Sequence, residues 1–174
     1  MPAPSKSVRN RESVDMSASK ENRIVDIQLD QGSIVRWSRE VDHERQVAIF
    51  DLLENNSFAL VDGFPGPYRI ELSLREANLI IAITNDDGSE NTGITLSMRP
   101  FRKLIKDYFL ICESYFDAIR TATPSRIEAI DMGRRGLHND GAALLIDALG
   151  EKINIDEETA RRLYTLICVL HIRG

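Results

Sequence analysis

The sequence predicts an α+β fold: a small antiparallel sheet of three or four strands packed against a C-terminal region of about four helices, with one further helix near the N-terminus. Two observations carry this. Apolar residues recur at every second position in residues 24–29 and 68–98, then at every third or fourth position from Pro100 onward. Clusters rich in Gly, Pro, Asn and Asp separate these segments.

Residues 1–22 are polar, free of aromatic residues and mixed in charge, and read as a disordered tail ahead of a single domain over 23–174. "RIVDIQLD" alternates Ile and Val with polar residues, as an edge strand would. Ser38 is a suitable N-cap, with Glu40 and Asp42 in the first turn of a helix that "ENN" ends at 54–56. Trp37, just before that cap, is placed to staple the helix onto the core. After the turn cluster "GFPGP", the runs 68–74 and 79–84 form strands that "REAN" closes into a hairpin, and "NDDG" turns the chain toward "TGITLSM".

Pro100 suits the first turn of a long helix whose apolar stripe includes Phe101, Ile105, Tyr108, Cys112 and Ile119. That stripe predicts a central helix, covered by sheet and by other helices. "TATP" breaks it. A second helix is expected from Pro124 to about Gly133, a third from Gly141 to Leu149, and a last one capped by Asp156.

The chain has 174 residues, net charge -5, 43% hydrophobic and 28% charged residues, an ordinary globular balance. The acidic total argues against a nucleic-acid partner, because phosphate contacts need a basic face. Residues 99–135 nevertheless carry eight basic against five acidic residues, which leaves -8 to the remainder. No apolar run approaches a membrane span and no apolar signal core is present, so the expected location is the cytoplasm. Cys112 and Cys168 lie in apolar helical patterns and read as buried thiols; neither has a metal-ligand spacing. No metal site is expected, and the residues do not specify a cofactor.

"DMGRRGLHNDG", residues 131–141, concentrates what chemistry the chain offers. Arg126, Arg134 and Arg135 lie within ten residues, and guanidinium groups suit carboxylate or phosphate recognition. With Gly136 allowing close approach and Asn139 or Asp140 capping a helix at Gly141, they sketch an anion site at a helix N-terminus. Its partner would be an acidic protein or a phosphorylated small molecule. His138 is the candidate proton-transfer residue of an alternative, enzymatic role. Glu113, Asp117 and Asp131 would orient the arginines or the histidine. The purely structural alternative has Arg134 and Arg135 bridging those carboxylates, or Glu128, across a helix corner, with Gly136 as a C-cap. Glu113 and Asp117, four apart on one face, equally suit a solvated acidic surface.

The blocks "DHERQVAIFDLLENNSF", "GPYRIELS", "FRKLIKDYFLICESYFDAIR", "PSRIEAIDMGRRGLHNDGA" and "ARRLYTLICVLHIRG" resemble a small uncharacterised family found mainly in alphaproteobacteria, UPF0262. The likeness spans about residues 22–174, and it departs most in "NDDGSENTG" and the first twenty residues. It implies a bacterial cytoplasmic protein and carries no catalytic residues over to this chain.

Overall fold

The computed structural model describes residues 21–30 and 38–172. In chain order these form β1 (Ile24–Asp30), α1 (Arg39–Glu54), β2 (Phe58–Leu60), β3 (Tyr68–Arg75), β4 (Asn78–Asn85) and β5 (Asn91–Ser97). A 3-10 turn (Arg99–Phe101) then leads into α2 (Arg102–Thr121), α3 (Pro124–Leu149), β6 (Ile153–Ile155) and α4 (Glu157–Leu170). Trp37 and the first twenty residues of the expected tail lie outside the described residues. Asn22, near the end of that tail, accepts a backbone hydrogen bond from Phe58.

The main sheet has the order β1-β3-β4-β5, with β3, β4 and β5 forming the expected antiparallel meander. β1 departs from expectation by running parallel to β3. A parallel neighbour needs a long crossover rather than a tight turn, and α1 with β2 supplies it. Asn56 fastens this crossover: its amide oxygen accepts from the Ile24 N–H at 2.7 Å, and its nitrogen donates to the Ile24 and Leu52 carbonyls. β2 and β6 pair antiparallel as a second, two-stranded sheet. Strands of three residues are too short to leave a periodic signal in sequence.

One face of the main sheet is greasy and covered. Tyr68, Ile70 and Leu72 on β3, Leu79, Ile81 and Ile83 on β4, and Ile94 on β5 are all buried. The helix most deeply covered is α4, with nine buried residues from Thr159 to Val169, rather than α2 as its apolar stripe predicts. The helix caps read from sequence are present: Ser38 Oγ accepts from Val41 N–H and Asp156 Oδ1 from Thr159 N–H.

The largest correction concerns residues 131–141. No break occurs there: α3 runs unbroken for 26 residues through Gly133, Gly136 and Gly141. Three helical regions therefore follow the sheet, not four, and neither Gly136 nor Asn139 caps anything. Each interior glycine costs about 1 kcal/mol relative to alanine in an isolated helix. Packing against α2 on one side and α4 on the other outweighs that cost. At Gly141 the helices come so close that an added Cβ would clash with the Tyr164 ring.

Candidate functional site between the first three helices

Arg134 sits where α1, α2 and α3 converge. Its Nη1 donates to Glu44 Oε1 on α1 at 2.6 Å, and its Nη2 donates to Asp131 Oδ1 one turn back at 3.2 Å. The guanidinium also lies over the Tyr115 ring of α2, 4.5 Å from its centroid. The side chain is 20% exposed. Burial opposes its charge, but Glu44 first, with Cys112, Tyr108 and last Asp131, more than offsets this, so its pKa stands above the ordinary arginine value. Glu44 is itself shared, since its other oxygen accepts from the buried Tyr108 hydroxyl at 3.5 Å.

The remaining sequence-predicted residues do not converge on this point. At about 100° per residue, a nine-residue spacing sets Arg126 about half a turn away from Arg135 on the continuous helix. Arg126 is exposed, and Arg135 is 75% exposed while pairing with Asp131 at 3.0 Å. Gly136 and Asn139 lie on the exposed side of α3. Glu113 and Asp117 are solvent-facing on α2, and the cation nearest them in sequence, Arg120, reaches across to Glu40 on α1 at 3.4 Å. Of the three expected orienting carboxylates, only Asp131 holds the arginines.

His138 points inward, toward α2 and α4. Its ring lies 5.0 Å from that of Tyr108, and its Nε2 is 3.3 Å from Thr165 Oγ1. Thr165 spends its single hydroxyl proton on the Arg161 carbonyl, so the imidazole donates from Nε2 in this network. Burial, together with the charges of Arg134 and Arg161, pushes its pKa down to about 4, with Asp131 opposing. Such a ring is neutral and weakly basic near pH 7, poorly matched to proton transfer there. Both cysteines are free and buried, and burial pushes the Cys112 thiol up to about 11 and raises Cys168 as well.

A cleft of about 510 Å³ opens beside Arg134. Arg39, Glu40, His43, Glu44 and Val47 line it from α1, and Tyr115, Phe116 and Ile119 line it from α2. Apolar walls with a few convergent polar groups, at this size, are what small ligands and protruding side chains occupy. Glu40 is engaged by Arg120 and Glu44 by Arg134. Arg39 is exposed, and among the described residues no carboxylate pairs with it. Sequence reasoning missed this place. Tyr115 and Phe116 fit a core stripe by spacing, and His43 fits a solvated helix face. The available signal was on α1, where Val47, Phe50 and Leu53 put apolar side chains on an already charged helix and remain exposed.

No described helix is long and apolar enough to cross a membrane. No solved structure matches the chain. Among curated relatives, the UPF0262 protein of Rhodospirillum rubrum is 57% identical over 153 residues, covering 88% of this chain and 94% of its own. That of Mesorhizobium japonicum is 56% identical over 162 residues, covering 91% of this chain and all of its own. The family model described as "Uncharacterised protein family (UPF0262)" matches residues 21–173. With sequence likeness of that depth over nearly its whole described length, the chain belongs to the UPF0262 family.

Proposed function

We propose that this is a small cytoplasmic interaction or regulatory protein that binds an amphipathic, anionic group in the cleft between α1 and α2. The observation that carries this is the pairing of Arg39, a cation that no carboxylate among the described residues engages, with an apolar wall of Val47, Phe116 and Ile119 in one opening. An aromatic or aliphatic group would rest on that wall while its carboxylate or phosphate meets Arg39 and His43. Arg134 contributes a fixed floor rather than a free charge, because Glu44 and Asp131 hold its geometry and largely balance it. The anion-binding role read from sequence thus moves off the Arg126–Arg135–Asn139 surface and onto α1. Its partner class stays the same: an acidic protein segment or a phosphorylated small molecule.

The test is calorimetric titration with phenyl phosphate and with a short acidic peptide carrying one aromatic residue. Wild-type protein should bind at least one of them, and Arg39→Ala and Ile119→Asp should each lose that binding. Arg126→Ala should retain it. Absence of binding by either probe, or equal loss in Arg126→Ala, would overturn the assignment. The enzymatic alternative, with His138 moving a proton on an anionic metabolite, has less support, because that ring is held neutral between helices and does not line this cleft.

A further inference from the structure

Among the described residues, β5 has a strand neighbour on one side only. The bonds from Asn85 N–H to the Glu90 carbonyl and from Met98 N–H to the Ala77 carbonyl bracket its ladder with β4. Bonded pairs alternate in an antiparallel ladder, so Thr92, Ile94 and Leu96 aim their backbone groups at β4. Asn91, Gly93, Thr95 and Ser97 therefore aim theirs outward. None of the usual protections against edge pairing stands on this strand: "NTGITLS" has no charge and no proline, and its β4 register runs without a bulge. The opposite edge differs. β1 carries Asp26 and Asp30, which would meet their own kind in a self-paired edge.

Beneath the β5 edge lies a second cleft, of about 370 Å³. Thr92 and Ile94 line it from β5; facing them are the apolar Val61 and Phe64, with Asp62, Glu151 and Lys152 at the same opening. Val61 is 40% exposed there although it is apolar.

We propose that this edge is a homodimer interface, in which β5 pairs antiparallel with β5 of a second copy about a two-fold axis through Ile94. That register is self-complementary. Asn91 pairs with Ser97 and Gly93 with Thr95, each twice, giving about eight backbone hydrogen bonds. On the helix-facing side, Leu96 of the second copy stands opposite Thr92 and enters the cleft against Val61 and Phe64. The same contact repeats across the axis, so each copy supplies both the inserted side chain and its receptacle. The absence of charge on β5 matters here, because a two-fold axis through Ile94 sets the seven residues of the strand against the same seven, where like charges facing one another would repel. The two four-stranded sheets become one sheet of eight strands, with all helices on one side.

Light scattering on the full chain over a concentration series tests this. The expected result is a reversible doubling of mass with concentration, accompanied by slower exchange of the Gly93 and Thr95 amides in the dimer. Gly93→Lys has room, since nothing lies within 4 Å of an added Cβ. Thr95→Pro removes an outward N–H without touching the β4 ladder. Both should be monomeric with wild-type circular dichroism, while Gln28→Lys on the β1 edge should still dimerise. The proposal is overturned by a chain that stays monomeric at every concentration. A dimer that survives both β5 substitutions, unchanged amide exchange across the series, or a monomer that instead accepts an unrelated extended peptide on β5 would overturn it equally.

Discussion

The two halves of α3 are one helix built on different rules. From Pro124 to Leu137 it has no fully buried residue, and Met132 is largely exposed. From His138 onward, Gly141, Ala142, Leu145 and Leu149 are buried against α4 and the sheet. The first half rests on α2 through the close approach of Gly133 to Ile111, and its charged anchor is Arg134 to Glu44 of α1 beside the Tyr115 ring. The second half is held by close packing, of which the Gly141–Tyr164 contact is the tightest point. Glycine therefore means opposite things along one helix. At 141 it makes room for a ring, whereas at 136 nothing lies within reach of a side chain.

The sharpest way to break that contrast is Gly141→Ala. The new methyl would land on the Tyr164 ring, whose position is fixed by a fully buried setting. Forcing it in should cost about 3 kcal/mol or more, read as a drop in the denaturation midpoint at unchanged m-value. Retention of wild-type stability would show that α3 and α4 can separate without penalty.

The boundary between the halves, His138, should reveal itself through pH. Arg134 and Asp131 from α3, Arg161 and Thr165 from α4, and Tyr108 from α2 face this ring. Its pKa falls from the ordinary 6.5 to about 4 on folding, so between those values the unfolded chain holds the extra proton. Stability from this group is complete above about pH 6.5 and is lost as pH falls toward 4, by an amount on the order of 2 to 3 kcal/mol. Urea titrations at stepped pH should show that decline, and His138→Gln should flatten it. An identical slope in the variant would assign the decline to other groups.

The smallest expected effect has the opposite sign. Gly136→Ala adds a helix-favouring methyl in open space and should stabilise the fold by about 0.5 to 1 kcal/mol. Destabilisation there would mean that the exposed half of α3 is engaged by something the isolated chain lacks.

How much of this the residues disclose depends on the range of the forces involved. Ser38 and Asp156 act within one turn, and their caps are readable at a glance. The β3–β4 hairpin follows from strict alternation with a two-residue turn at Glu76–Ala77. Three glycines in nine residues look locally like a broken helix, and only contacts with α2 and α4, distant in sequence, reverse that reading. The same holds for the site. Asp131, one turn from Arg134, was legible as one of four carboxylates the arginine could hold. Glu44, ninety positions away, was not, and without it neither the pinning of Arg134 nor the cleft beside it can be inferred.

The position of α4 in the chain has a consequence for biosynthesis. It is the last of the described elements to be made, yet it fills the centre. A nascent chain that has emerged only as far as Ile155 presents the sheet's oily side with its chief cover missing, a state prone to sticking to other chains. Maturation is then effectively all-or-none, triggered as Glu157–Leu170 clear the ribosome, and a premature stop just upstream should yield an insoluble product in place of a smaller working one.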